Sequence, residues 1–242
     1  MSKELVKKYD NHPVLAGDYQ EIVKENLGDE GLKVSDLPRI KMPSGGTTAW
    51  EVPALGEPEM KKKIKGVIIH RVTSRAFWSK GIGEAEDNLP DCMSPDGKDG
   101  AVLNEDEFDN LGGDCSTCPM NQWGSGDDGK GKACTERLNL YIVKDGFILP
   151  NIISLSPTSI KPARKYLVEL VGYSRPYHTV VTEFELEKAK NDSGIEYAVA
   201  KLSYGGDLPK DTIKEIAGFR ENFIKSLEEP TAEDMPADAK TR

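Results

Sequence analysis

The chain has 242 residues, of which 37% are hydrophobic and 30% charged, so it can bury a core and is not a disordered chain. Its 41 acidic and 32 basic residues give a net charge of −9, which excludes a protein that coats nucleic acid by overall charge alone. No apolar run approaches the roughly 20 residues of a membrane helix, and the N-terminal sequence lacks the apolar core of a signal peptide, so we expect a cytoplasmic protein without a membrane partner.

The first part of the chain predicts a short helix and then extended structure. A capping pattern and an apolar stripe predict a helix over residues 18–27. Proline and glycine bound a short extended piece over 36–53, and residues 64–72 form the most strand-like segment. A turn is expected to end that strand at residues 73–74.

A long segment without periodicity separates this strand from the next. Residues 79–134 are rich in Gly, Asp, Asn and Pro, and a loop of this length inside a compact domain requires something that organises it. Alternating apolar residues then predict a strand over 137–143, and 147–155 continues as extended chain. A helix should begin near Ser159, with an apolar face that runs to Val171.

The C-terminal part predicts a hairpin followed by a helix. Residues 178–187 and 195–204 have the pattern of two strands joined by an NDSG turn. The helix over 212–227 has a capping box and the best-patterned apolar stripe of the chain. Acidic residues predominate in 228–242, for which we predict a disordered tail.

All four cysteines lie in the long segment. Cys115 and Cys118 form a CxxC turn that lets two thiolates reach one ion, and Cys92 and Cys134 can complete a tetrahedral ligand set from distant points of the chain. We therefore predict one structural Zn²⁺ bound by these four residues. Four thiolates leave no open coordination position, so metal-assisted hydrolysis is not expected.

Other interpretations of the cysteines remain open. Disulfides are disfavoured in a cytoplasmic protein, and a thioredoxin-like redox pair usually lies between a strand and a helix rather than in a glycine-rich loop. An iron–sulfur cluster has compatible ligands in four cysteines. Zinc is the metal that we expect, because a CxxC turn with two further cysteines is typical of structural zinc sites.

The order of the elements predicts a mainly β fold with helices, of the α+β class. It fits an OB-like five-stranded barrel with a zinc-binding insertion between strands 2 and 3 and with flanking helices, although small mixed barrels and α+β sheets give similar orders. The predicted organisation is a helix and extended arm over 1–60, an OB-like domain over 61–227 with its insertion over 79–134 and its last helix over 212–227, and the acidic tail over 228–242.

Cations and aromatic residues alternate on both sides of the long segment. Binding of a single strand needs cations that follow the phosphates and flat side chains on which bases stack. Tyr141 is out of phase with the apolar residues of its strand, so we expect it to face away from the core. For each aromatic residue alone, packing in the core is the other interpretation. The predicted nucleic-acid-binding residues are Arg71, Arg75, Phe77, Trp78, Lys80, Trp123, Lys130, Lys132, Arg137 and Tyr141.

The sequence contains none of the common enzyme motifs. It has no GxSxG run, no Walker A run, no HExxH run and no nucleophile beside a base. His12, His70 and His178 are scattered, and we expect His70, in its predicted strand, to be structural. We therefore predict no catalytic residues and a function other than catalysis.

Four runs in the middle of the chain carry a family resemblance, namely PDCMSPDG (90–97), GGDCSTCPMNQWGSG (112–126), GKGKAC (129–134) and SPTSIKPARKYL (156–167). They resemble bacteriophage-encoded replication proteins of the single-stranded-DNA-binding type, in which an OB-fold body carries an acidic C-terminal tail. The zinc-bearing segment also resembles that of the helix-destabilising proteins of large bacteriophages. The resemblance implies sequence-independent, cooperative coating of single-stranded DNA in DNA replication or recombination, in the cytoplasm of a bacterial host. It supports the four cysteines as metal ligands and implies that the tail recruits replication proteins.

Two features differ from that family, and two other functions fit the sequence. All four predicted ligands here are cysteines, whereas the best-known phage site includes a histidine. The tail here ends in Lys240-Thr241-Arg242 rather than in the acidic and hydrophobic tip of the bacterial homologues. A zinc-stabilised protein–protein adaptor would have no nucleic-acid affinity and would co-purify with a host partner. A nucleic-acid enzyme with an iron–sulfur or zinc support would be coloured or would cleave DNA.

Overall fold

The computed structural model describes residues 19–30, 32–43, 46–80, 89–103, 111–126, 129–144, 147, 149–191 and 194–226. The chain divides into two compact units. One, here called the core unit, contains the described residues up to Arg71 and from Leu140 onward; the other, the insertion unit, contains those from Val72 to Asn139. The predicted acidic tail over 228–242 lies outside the described residues.

Helices and strands both contribute to the described structure, which is a mixed α/β architecture. The helices are α1 (Tyr19–Leu27), α2 (Pro157–Gly172) and α3 (Lys210–Ser226). The strands are β1 (Arg39–Ile40), β2 (Trp50–Val52), β3 (Glu59–Lys61), β4 (Lys63–Phe77), β5 (Cys92–Ser94), β6 (Asp99–Val102), β7 (Gly113–Asp114), β8 (Thr135–Val143), β9 (Asn151–Leu155), β10 (Val180–Lys190) and β11 (Glu196–Asp207). None of the described helices combines the length and the apolar character needed to cross a membrane.

Strand β4 is central to the sheet of the core unit. It lies between β8 and β10, and the strand order is β1-β9-β8-β4-β10-β11. Strand β10 runs antiparallel to β4, with Thr182 opposite Gly66, and forms an antiparallel hairpin with β11, which confirms the predicted hairpin. Gly66 allows β8 to approach closely, because a Cβ atom at this position would lie 2.9 Å from the carbonyl oxygen of Val143.

The sheet does not close into the predicted five-stranded barrel. Closure in this strand order would require β9 to pair with β11. Instead, the short strand β1 occupies the edge of β9 in parallel register, with Arg39 opposite Ile152. Among the described strands, β11 pairs only with β10. The sequence predicted β4, β8, the β10–β11 hairpin and helices α2 and α3 in this order. It predicted neither the strands within the insertion nor the occupant of the β9 edge.

Strand β8 is buried on both faces, which the alternation of its sequence did not predict. Leu140 and Ile142 are each 0% exposed, as expected for residues of the core face. Tyr141 is 3% exposed, so the expectation that it faces away from the core was wrong. Helix α3 covers this second face, where the ring centroid of Phe223 lies 5.7 Å from that of Tyr141. The ring of His70 lies 5.3 Å from Tyr141.

Helix α2 joins the core through buried polar contacts as well as apolar ones. It begins at Pro157, close to the predicted start, because proline suits the first helical position. The hydroxyl oxygen of Ser159 accepts a hydrogen bond of 2.9 Å from the backbone N–H of Ala200. The hydroxyls of Tyr166 and Thr182 lie 2.9 Å apart and share a buried hydrogen bond. These contacts satisfy polar groups that burial would otherwise leave without partners.

The insertion unit contains short antiparallel strands rather than the irregular loop that its composition predicted. Strand β4 continues through the expected turn at 73–74 and pairs with β5, with Arg75 opposite Ser94. Strand β5 pairs with β6, and β6 pairs with β7. The amide of Asn139 donates a hydrogen bond of 2.9 Å to the hydroxyl of Ser74, so this residue is held within a strand.

Candidate functional site

The four cysteines converge on one cavity of the insertion unit, although they are distant in sequence. Cys92 is the first residue of β5. The Sγ atoms of Cys92 and Cys115 both lie near Gly100, because a Cβ atom at Gly100 would be 3.1 Å from the first and 3.6 Å from the second. The backbone N–H of Cys134 donates a hydrogen bond of 2.8 Å to the carbonyl of Met120, in the turn of 3-10 helix Pro119–Asn121. That turn directly follows Cys118.

The predicted structural zinc is not supported by this arrangement, and the prediction was wrong. All four cysteines are free thiols. Among the described residues, which include all four, no group of three or more His, Cys, Asp or Glu side chains could hold a metal ion. A zinc site needs sulfur atoms about 2.3 Å from one common point. The spacing of cysteines in the sequence indicates that their thiols can lie close together, but it does not determine the direction in which each Sγ atom points.

Burial keeps the thiols of Cys92 and Cys134 protonated at neutral pH. It raises the pKa of Cys92 to about 11, and the neighbouring thiols of Cys118 and Cys115 act in the same direction. Burial also raises the pKa of Cys134 to about 12, against the opposing effect of the Arg75 charge. A thiol in apolar surroundings resists ionisation because the thiolate would lose its hydration. Cys92 and Cys134 therefore contribute neutral thiols to the cysteine cavity, and Arg75 contributes a positive charge.

Asn121 organises the insertion unit, and sequence reasoning did not identify it. Its side chain is 7% exposed. Its amide nitrogen donates to the carbonyl oxygen of Cys115, while its amide oxygen accepts from Arg75 at 2.7 Å and from Lys132 at 3.0 Å. One buried amide thus joins β4, the CxxC turn and the segment before β8. A lone asparagine beside a CxxC turn has no sequence signature that would have revealed this role.

Arg75 was predicted to bind phosphate, but its guanidinium is engaged inside the insertion unit. It donates 3.1 Å to the carbonyl of Gly97 and pairs with the carboxylate of Glu136, in addition to its bond with Asn121. The side chain is only 14% exposed. Its partners lie far from it in sequence, so the local basic and aromatic pattern could not indicate this structural role.

The remaining predicted nucleic-acid contacts divide by exposure. Phe77, Arg137 and Tyr141 are 8%, 5% and 3% exposed, respectively, so they are too deeply buried to contact a base or phosphate in this conformation, and we exclude them from the candidate surface. Trp78 is half-buried. The exposed members of the predicted set are Arg71, Lys80, Trp123, Lys130 and Lys132.

Trp123 stands on a short ordered loop that also carries two lysines. Its side chain is 81% exposed. The backbone N–H of Gly124 donates 2.7 Å to the carbonyl of Gly131, so the two sides of the loop meet next to Trp123. Gly124 has φ +93, a conformation that suits glycine. Lys130 and Lys132, which flank Gly131 in the sequence, are both exposed. We call Trp123, Lys130 and Lys132 the tryptophan loop.

The base of the tryptophan loop is fixed by hydrogen bonds. The hydroxyl of Ser125 donates 2.8 Å to the carbonyl of Met120 and accepts 2.9 Å from the backbone N–H of Ala133. Gln122 donates to the carbonyls of Ser116 and Cys118 at 3.0 and 3.2 Å. An exposed aromatic ring on an ordered base loses little conformational freedom when a ligand stacks on it.

Comparison with known proteins gives no relative to which this chain can be assigned. No protein-family model matches it, and neither a curated protein nor a solved structure matches it. The resemblance to phage single-stranded-DNA-binding proteins therefore stays a prediction from the quoted sequence runs, and the function has to be argued from the geometry of the described residues.

Proposed function

We propose that this protein binds single-stranded DNA independently of sequence, with Trp123 as the stacking surface for an unpaired base. The observation that carries the proposal is the 81% exposure of Trp123 on a hydrogen-bonded loop that also carries the exposed residues Lys130 and Lys132. A tryptophan ring is large and apolar and is usually well buried. A flat exposed ring with cations beside it is the combination with which proteins bind unpaired strands.

Single-stranded rather than double-stranded DNA is the ligand that suits this loop. In a duplex the bases are already stacked on each other, so their faces are not available to Trp123. Stacking on a base face is also tolerant of sequence, because every base has such a face. Lys130 and Lys132 would contact the phosphates that flank the stacked base. The exposed ammonium of Lys132 would do so while one of its three N–H groups donates to Asn121.

Stacking is expected to contribute more affinity than charge at this loop. The sequence places Asp127 and Asp128, which lie outside the described residues, between Trp123 and the two lysines. Residues 123–132 therefore carry no net charge. The salt dependence that arises from the tryptophan loop alone should be shallow, roughly one unit of slope or slightly more for two phosphate contacts.

The strand connectivity of the core unit supports the proposal, because it is similar to that of an OB-fold. Strand β4 pairs with both β8 and β10, and helix α2 lies between β9 and β10. This order is similar to that of the five-stranded Greek-key barrel of OB-folds, which is often only partly closed. OB-folds bind oligonucleotides partly through the loop between their first two strands. If β4 and β8 are those strands, the tryptophan loop lies in that connection.

The direct test is a titration of fluorescently labelled oligo-dT with the full chain at low salt, followed by anisotropy. Unlabelled single strands of mixed sequence should displace the probe equally well, and a duplex of the same length should compete at least about tenfold less well. The absence of oligo-dT binding at low salt would overturn the proposal. Equal competition by the duplex would remove base stacking as its basis.

A further inference from the structure

A second group of polar and ionisable side chains lies in the core unit. Four half-buried side chains from three elements contribute: His70 on β4, Arg220 on α3, and Tyr177 and His178 in the turn of 3-10 helix Tyr177–Thr179. A terminal nitrogen of Arg220 donates 3.2 Å to the hydroxyl of Tyr177. The guanidinium carbon lies 5.9 Å from the centroid of the Tyr177 ring.

The positive charge of Arg220 is not compensated within the described part of the chain. Its guanidinium forms a hydrogen bond with the hydroxyl of Tyr177 and a cation–π contact with the ring of the same residue. No described carboxylate forms an ion pair with it. The Nε atom of Arg220 is buried and has no hydrogen-bond partner among the described residues. Burying a cationic donor without an acceptor is costly, so an anion bound close to this guanidinium would offset part of that cost.

The two imidazoles nearby respond to the same charge. Burial, then Arg220, then Arg71 lower the pKa of His70 below its usual range. Burial and then Arg220 lower the pKa of His178 in the same way. No carboxylate is among the groups that act on either histidine. Both rings are therefore neutral at neutral pH, and each still has one N–H that can donate a hydrogen bond to an anion.

The orientation of the group is fixed by packing. The ring of His70 lies against Tyr141, at 5.3 Å between centroids, and Tyr141 lies against Phe223 of α3. The rings of Tyr177 and His178 are 5.7 Å apart in an edge-on arrangement. Arg71, next to His70 in sequence, is exposed, so its charge is accessible to the same ligand.

We propose that Arg220, His70 and His178 form a phosphate-binding site in the core unit. A guanidinium offers several donors in a planar fork that matches phosphate oxygens, and two neutral imidazoles add further donors. The natural ligand would be a backbone phosphate of single-stranded DNA, and this identification rests on the proposed function. A free phosphate group would satisfy the same donors, so the two sources have to be separated by experiment.

The first arm of the test uses inorganic phosphate, added to the full chain in chloride buffer and followed by NMR of the histidine side chains. Phosphate should raise the pKa of His70 and His178, because a bound anion favours the protonated imidazole. The response should be lost in R220Q and kept in K225Q, which removes an exposed charge from the same helix. No response in the wild type, or the same response in R220Q, would overturn the site.

The second arm uses labelled oligo-dT with the same variants. R220Q should bind about 5- to 20-fold more weakly than the wild type at low salt, and the slope of log K against log salt should fall by about 0.7. K225Q should change neither value. A phosphate response with equal oligo-dT binding by R220Q would make the ligand a free phosphate and overturn the nucleic-acid assignment.

The two arms separate failure of the site from failure of the proposed function. A phosphate response without any oligo-dT binding would remove DNA binding and leave the phosphate site. Oligo-dT binding with no phosphate response, and with no effect of R220Q, would remove the site and leave DNA binding. R220K, which keeps the charge but loses the planar fork, and Y177F serve as second variants if R220Q does not fold by circular dichroism. R220K should weaken both responses less than R220Q does.

Discussion

Arg75 on β4 and Asn121, which is 46 residues away in sequence, are joined by a hydrogen bond of 2.7 Å between guanidinium and amide oxygen. Asn121 is 7% exposed, and its amide also reaches the CxxC turn and Lys132. This relationship explains how the insertion unit is ordered when its cysteines are free thiols. It also explains why Arg75 is not available to a ligand.

Replacing Asn121 with Ala should destabilise the protein by about 2–4 kcal/mol, because it removes three hydrogen bonds, two of them from charged donors in a partly buried place. Urea unfolding measured by circular dichroism gives this value. Gln122→Ala is the matched control, since the neighbouring side chain also donates to backbone carbonyls but is exposed. An equal effect of the two substitutions would show that Asn121 has no special role.

The buried thiols predict a loss of stability at alkaline pH. The pKa of Cys92 is about 11 and that of Cys134 about 12 in the folded chain, above the usual value near 8.5 for an unfolded cysteine. A raised folded pKa stabilises the fold fully below pH 8.5, and this contribution is lost progressively as the pH rises from about 9 towards 12.

The measurement compares the urea unfolding free energies of the wild type and Cys134→Ala in the presence of a reductant at several pH values. Their difference isolates the thiol from other groups, such as Lys63, whose carboxylate partners Glu185 and Glu183 also raise its pKa. The difference should change between pH 8 and pH 10.5, in the direction of a less stable wild type at high pH. A constant difference across that range would contradict the predicted burial of the thiol.

Two glycines should respond in opposite directions to alanine. At Gly66 a Cβ atom would lie 2.9 Å from a backbone oxygen of β8, so Gly66→Ala should cost about 1–3 kcal/mol. At Gly218, in helix α3, a Cβ atom would meet nothing within 4 Å, so Gly218→Ala should stabilise by about 0.5–1 kcal/mol. Thermal unfolding of both variants tests the packing of β4 on β8. A neutral Gly66→Ala variant would mean that the two strands are not this close.

Local periodicity predicted the secondary structure better than it predicted exposure. The turn between β10 and β11 and the apolar stripe of α3 were visible in the sequence because they depend on neighbouring residues. The burial of Tyr141 was not, because it depends on Phe223 covering the second face of β8. Ser74 was expected in a turn, yet it is held in a strand by Asn139.

The candidate site could be predicted only in part for the same reason. The exposure expected of Trp123, Lys130 and Lys132 agrees with the structure, because glycine-rich loops usually lie on the surface. The zinc prediction failed because cysteine spacing does not determine side-chain geometry. The group around Arg220 was missed because the whole insertion unit lies between His70 and His178 in the sequence, and neither histidine lies in a recognisable motif.

Lys130 should contribute to the salt dependence of DNA binding. Lys130→Gln should lower the slope of log K against log salt by about 0.7, the value for one phosphate contact on a single strand. Lys161→Gln, which removes an exposed charge from α2, is the control and should leave the slope unchanged. Anisotropy titrations over a range of salt concentrations measure both slopes. Identical slopes for Lys130→Gln and the wild type would exclude a phosphate contact at this residue.

Stacking of a base on Trp123 can be measured by comparing the oligo-dT affinities of Trp123→Ala and Tyr173→Ala. Tyr173 is 72% exposed at the end of α2, so it controls for the loss of an exposed aromatic ring elsewhere. Stacking on one base contributes about 1–3 kcal/mol, so Trp123→Ala should weaken binding by about 5- to 150-fold, while Tyr173→Ala should bind like the wild type. Wild-type affinity in Trp123→Ala, with its fold intact by circular dichroism, would contradict the account.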